Sequence, residues 1–201
     1  MQKGFDPVDV LAFFKFTGAV IPLAFWWGSQ RCGVRVLEVL QGETLKARGV
    51  GTRYKIVSGG QEAYLYRIVD TWFIAFQDEA MKMPDTHTRF GSGCAIPQNT
   101  TDARYNNPCK AQVEAEALCK GQEYVEPVLF IWEDGRRFSV EKTLRVGKGH
   151  SAKAGIVGIR YDIVVRGQPA RLYRDNDLWF MERSGVEGKV LDVHGRAISS
   201  D

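Results

Sequence analysis

The chain has 201 residues, of which 44% are hydrophobic, 25% charged and 11% aromatic, with a net charge of +3. Such proportions belong to a folded globular protein and exclude a largely disordered chain. The charge is too small for a domain that is basic all over, and no stretch reaches the roughly 18 apolar residues of a membrane span.

In chain order, Asp6-Pro7 supplies a helix cap and a first-turn proline, which predicts a short helix over Val8–Ala12. Phe13–Phe16 reads as a strand that turns at Thr17-Gly18. Residues 77–107 lack periodicity and form an irregular spacer. Asn107-Pro108 then predicts a helix near 108–120, since Gln112, Glu114, Ala115, Glu116, Ala117 and Leu118 are good helix formers. Beyond it the chain alternates strand and turn. Val128–Trp132 is β-prone, and Glu133-Asp134-Gly135 is a turn signal. Arg137–Val146 alternates apolar and polar residues, and Gly147–Gly155 is a loop of small residues. Ile159–Val165, Ala170–Arg174 and Leu178–Glu182 are strands, separated by turns at Gly167-Gln168 and Asp175–Asp177. The tail after Gly185 is polar.

The same pattern occurs earlier in the chain. Thr44–Ile74 aligns with Ser151–Met181 at a constant offset of 107, and 17 of the 31 pairs are identical. Pro22–Trp27 matches Pro127–Trp132 at an offset of 105. Duplication explains this where chance does not. The expected fold is mainly β: two tandem, small, antiparallel modules, barrel-like or built on bent sheets. The expected divisions are a first module with its helix (1–76), a spacer (77–123), a second module (124–185) and a tail (186–201). Residues 20–76 and 125–183 each carry +3, and residues 77–122 carry −1. Nothing at the N-terminus reads as a signal peptide, so a cytoplasmic protein with reduced cysteines is expected.

The run Phe130-Ile131-Trp132-Glu133-Asp134-Gly135-Arg136-Arg137-Phe138, followed by Val140, Gly158-x-Arg160-Tyr161 and Trp179-Phe180, resembles a group of small bacterial proteins of uncharacterised function. These share the pattern W-x-D-G-R-R-aromatic-x-V, then G-x-R-Y, then W-F. The resemblance covers most of the second copy and implies a β module. It brings no activity and no catalytic residue. The first copy departs from it, with Gly28–Gly33 in place of Glu133–Phe138.

Chemistry-bearing residues are few. A glycine-rich basic loop occurs twice, as Lys46-Ala-Arg48-Gly-Val-Gly51 and as Lys153-Ala-Gly155-Ile-Val-Gly158. Glycines let backbone N–H groups point at an anion, and the lysine adds charge. Arg53 and Arg160 follow each loop, and Arg136 and Arg137 sit on the first hairpin of the second copy. These seven cations (Lys46, Arg48, Arg53, Arg136, Arg137, Lys153 and Arg160) are the candidate phosphate-binding set. The competing reading is a tight bend with solvated side chains. Tyr54, Tyr66, Trp72, Phe73, Tyr161, Tyr173, Trp179 and Phe180 either stack bases or fill small cores, with alternation sending one of each Trp-Phe pair outward.

His87, Cys94, Cys109 and Cys119 lack the short CxxC spacing of structural zinc, so neither a metal nor another cofactor is expected. Cys94 with Cys109 or Cys119 is a candidate bridge under oxidising conditions, and Cys32 is expected to be buried. There is no GxSxG, HExxH or carboxylate cluster, so no catalytic residue is assigned. Asp70, Asp177 and Glu62 are expected in turns, and His150 at the surface. Three readings stay open: a non-enzymatic nucleic-acid binder, a protein–protein adaptor or inhibitor, and a nucleotide-binding protein. In the binding readings the second copy carries more of the contact, because of Arg136 and Arg137.

Overall fold

A computed structural model describes residues 6–45, 49–76, 107–121, 124–184 and 189–190. The described residues are mainly β, in two sheets with no closed barrel. The strands are β1 (Asp6–Val8), β2 (Val10–Phe14), β3 (Val20–Trp27), β4 (Gln30–Gly33), β5 (Arg35–Leu45), β6 (Gly49–Ser58), β7 (Gln61–Ile68) and β8 (Thr71–Phe76). They continue with β9 (Lys110–Lys120), β10 (Tyr124–Ile131), β11 (Arg137–Ser139), β12 (Lys142–Ser151), β13 (Ile156–Val165), β14 (Gln168–Asp175), β15 (Leu178–Ser184) and β16 (Lys189–Val190). No helix among the described residues is long and apolar enough to cross a membrane.

By contacts the chain divides into two units. The first comprises residues 1–12, 21–95 and 118–126, and the second residues 13–20, 96–117 and 127–201. In the first unit the strands run β1-β8-β7-β6-β5, and β3 forms a hairpin with β4. In the second they run β12-β13-β14-β15-β9, and β10 forms a hairpin with β11.

The pairings share registers. Tyr54 faces Leu65 as Tyr161 faces Leu172, and Tyr66 faces Phe73 as Tyr173 faces Phe180. Each pair lies 107 residues from its counterpart. β5 and β12 both carry a bulge at the same place, at Leu37 and at Leu144.

Both predicted helices are strands. The segment 8–12 belongs to β1 and β2, and 110–120 is β9. The deciding signal is period 2. Ala111, Val113, Ala115, Ala117 and Cys119 are buried in alternation with Gln112, Glu114, Glu116 and Leu118. Helix propensity in this segment yields to a strand whose every second residue is buried. Val8, Val10, Ala12 and Phe14 alternate in the same way. Val8 pairs with Trp72 on β8, and Val113 pairs with Trp179 on β15. Pro7 is tolerated because β1 is an edge strand, where a missing N–H costs no ladder bond. Asn107 does accept the Cys109 N–H, at 2.9 Å, but this bond shapes a turn into β9. The expected spacer therefore contains a long strand, and residues 77–106 lie outside the described set. The barrel expectation also fails. Closure needs the last strand of a sheet to pair with the first, and the outer edges of β5 and β12 meet no strand among the described residues.

Tyr54, Tyr66, Trp72 and Phe73, with their counterparts Tyr161, Tyr173, Trp179 and Phe180, are all buried, so the expected outward Trp or Phe is not there. Both faces of each sheet are covered at these positions. In the second unit Ala154 and Ile156 pack with Tyr173 and Phe180 on one face. On the other, Trp179 meets Tyr161 at 5.2 Å and Phe14 at 5.8 Å between ring centres.

The two-residue turn between β7 and β8 places Val69 at φ +55°. The counterpart between β14 and β15 is Asn176 at φ +53°. A β-branched residue is strained in that region, whereas asparagine adopts it readily. Val69 is also 79% exposed, so no packing offsets the strain. Val69→Asn is expected to raise stability by about 1 kcal/mol, read as a higher melting temperature.

Candidate functional site

Of the five candidate cations among the described residues, few are open to an anion. Lys46 and Arg48 lie outside the described residues. The Arg53 guanidinium lies over Tyr64, 5.5 Å from the ring centre. Arg136 closes the hairpin turn: the Asp134 carboxylate accepts its backbone N–H at 3.0 Å and its Nε–H at 2.7 Å. Those bonds hold the Asp134 carboxyl below its usual range, the backbone donor contributing most. Arg137 donates to Glu116 at 2.9 Å. Arg160 pairs with Asp162 at 3.2 Å. Of the described candidates, only Lys153 stands exposed with no ion pair among the described residues.

The loop glycines answer to packing. A Cβ on Gly158 would lie 2.1 Å from the Arg174 carbonyl oxygen, and one on Gly51 the same distance from that of Arg67. The loop itself is tied down. Ser151 Oγ accepts the Ala154 N–H at 3.1 Å, and Asn107 Nδ2 donates to the Lys153 carbonyl at 3.0 Å. Gly51 and Gly158 lie within strands, and the close backbone approach of the neighbouring strand, rather than a bend, accounts for them.

A different set of cations is gathered on β12. From Lys142 to Gly158 the chain carries Lys142, Arg145, Lys148 and Lys153, with His150, and no acidic residue. All five side chains are exposed. None has an ion-pair partner among the described residues. Cross-strand register adds two more. Arg145 faces Asp162, which faces Arg171, and Gly147 faces Arg160. Asp162 Oδ1 is 3.2 Å from Arg160 and 3.9 Å from Arg171, so one carboxylate serves two guanidiniums. Gly149 leaves room for the Arg160 stem, since a Cβ there would sit 2.6 Å from Arg160 Cβ. The signal for this patch in the sequence was the run of 20 residues without Asp or Glu, Lys142–Tyr161.

The matching columns of the first unit have the opposite sign. Glu38 faces Lys55, which faces Tyr64. Lys55 pairs with Glu62 at 2.9 Å, and that bond holds its ammonium above the usual pKa. Glu62 thus lies on β7, where a turn was expected. Where the second unit sets Arg145, Arg160 and Arg171 about one aspartate, the first sets Glu38 and Glu62 about one lysine.

A groove of about 320 Å³ in the second unit is lined by Asn107, Pro108, Lys110, Gln112, Glu133, Phe180 and Arg183. Its aromatic floor is taken, because the Lys110 ammonium sits 3.8 Å above the Phe180 ring. Arg183 is tied to Glu133. Nearby, Tyr173 is pushed up to about 12 by burial and by its bond to Glu182. No base-stacking platform is open there.

Cys119 is buried, Cys109 is a half-buried free thiol, and Cys32 is free and half-buried rather than buried. Cys94 and His87 lie outside the described residues. No group of three or more His, Cys, Asp or Glu among the described residues is placed to hold a metal. Asp70 and Asp177 occupy turns, as expected, and pair with buried arginines: Arg67 at 3.6 Å and Arg174 at 3.7 Å. Comparison with protein-family models, with curated proteins and with solved structures gave no match.

Proposed function

We propose that the chain is a non-enzymatic binding protein made of one β module in two copies, and that the second copy holds the phosphate backbone of nucleic acid. The observation that carries this reading is the exposed, carboxylate-free run of Lys142, Arg145, Lys148 and Lys153 on and beside β12. Exposed lysines and arginines bind phosphate by releasing counterions, and the energy does not depend on base identity. The eight buried aromatics of the repeat point the same way, because they are not placed to stack on bases. The contact is therefore to backbone, with little sequence preference.

A salt titration with a short single-stranded oligonucleotide tests this. Four phosphate contacts give a slope of log K against log salt of about −3. Lys142→Gln with Lys148→Gln is expected to remove about half of that slope and to weaken binding equally for unrelated sequences. Affinity that does not change between low and high salt refutes the reading.

A further inference from the structure

We infer that the chain associates with copies of itself head to tail, the β5 edge of one molecule adding to the β12 edge of the next. This goes beyond nucleic-acid binding and does not depend on it.

The two strands are terminal in their sheets and of similar length, 11 and 10 residues. Each offers roughly 30 Å of outer edge. Such edges present unpaired N–H and C=O groups and template strand addition. Both also display aliphatic side chains to solvent at matching positions. Leu37, Val39 and Val50 are exposed near β5, and Leu144, Val146 and Val157 near β12. Each position in one set is 107 residues from its partner in the other. Isolated exposed aliphatics need no explanation, but the same three in both copies, each beside an edge that meets no strand among the described residues, do.

Charge selects the occupant. Along β12, Lys142, Arg145 and Lys148 have no acidic neighbour in the strand, whereas β5 carries Glu38 against Arg35. Two β12 edges brought together repel, whereas β5 carries no excess of cations and offers the Glu38 carboxylate. A β5 edge against a β12 edge brings opposite charges together and covers the aliphatics of both. The partner is thus a second copy of this chain. Because the two edges are different surfaces, the contact is heterologous and builds rings or open chains rather than a two-fold dimer.

Sedimentation of the full chain without nucleic acid, over a hundredfold concentration range, provides the test. Two variants each block one edge at exposed positions: Leu37→Arg with Val39→Arg, and Leu144→Glu with Val146→Glu. Circular dichroism and a cooperative melt establish that each is folded. The wild-type chain is expected to grow in mass with concentration, and each variant alone to stay monomeric. Mixed, the two variants should form a 1:1 dimer and nothing larger, because each retains the edge the other needs. A wild-type chain monomeric throughout overturns the inference, whether or not it then binds anionic vesicles through the same aliphatics. So does a dimer that both variants preserve. Oligonucleotide affinity, measured below the association range, reads the phosphate contact separately, through Lys142→Gln and Lys148→Gln.

Discussion

Gly158→Ala is expected to cost more than about 3 kcal/mol, a large loss for a single methyl group. The added Cβ meets the carbonyl oxygen of Arg174 at 2.1 Å and its carbonyl carbon at 3.0 Å. Both are backbone atoms in a paired strand, so neither can rotate away as a side chain would. Relief requires β13 and β14 to separate where Ile159 pairs with Arg174. For a chain of this size the loss corresponds to a fall of about 6–12 °C in melting temperature. Gly147→Ala supplies the contrast. Nothing lies within 4 Å of a Cβ there, and alanine in a strand recovers about 0.5 kcal/mol of backbone entropy. Gly51→Ala should behave like Gly158→Ala, because its Cβ would meet the Arg67 carbonyl oxygen at the same 2.1 Å. A melt of Gly158→Ala within 2 °C of wild type would show that the close approach is not needed, and would reopen the anion-loop reading of these glycines.

These glycines mark where sequence reasoning was strong and where it stopped. The strand-turn alternation of the second copy was legible because its turns carry Asp-Gly and Asn-Asp at positions where only certain residues adopt the backbone angles. β9 was misread because its residues have high helix propensity while its pattern has strand period. Ala-Gln-Val-Glu-Ala-Glu-Ala alternates strictly, and the pattern decided the outcome. Most of the described candidate cations are less open than their sequence suggested, for another reason. Arginine and lysine look alike in a sequence whether or not a carboxylate sits beside them, and the carboxylate often comes from another strand. Arg137 is satisfied by Glu116 from 21 residues away. Arg160 is neutralised by Asp162, two residues along its own strand. What a sequence does show is a run with no acids at all, and Lys142–Tyr161 is such a run.

The buried arginines were hidden for the same reason, and they support the second large effect. Arg174 is 5% exposed, lies 5.7 Å from the centre of the Trp179 ring and 5.4 Å from that of Phe14, and reaches Asp177 at 3.7 Å. Arg67 holds the same place in the first unit, 5.9 Å from Trp72. A buried ion pair is weak evidence of net stabilisation, because desolvation of the charges offsets their attraction. Packing is the stronger term here: the guanidinium and its stem fill space against two aromatic rings. Arg174→Ala should therefore cost about 3–5 kcal/mol, from the cavity and the lost ring contacts together with the broken pair. Arg174→Met keeps most of the volume. Asp177, about one-third exposed, can turn to water when its partner is gone, so no buried charge is stranded. The methionine variant is expected to lose no more than about 1.5 kcal/mol. Urea melts of the two variants separate the causes. Equal losses would make the charge decisive, whereas a loss confined to alanine would make Arg174 a packing residue for the Trp179 face. In that case the charge that meets ligand must come from cations outside the core, which returns the functional question to Lys142, Arg145 and Lys148.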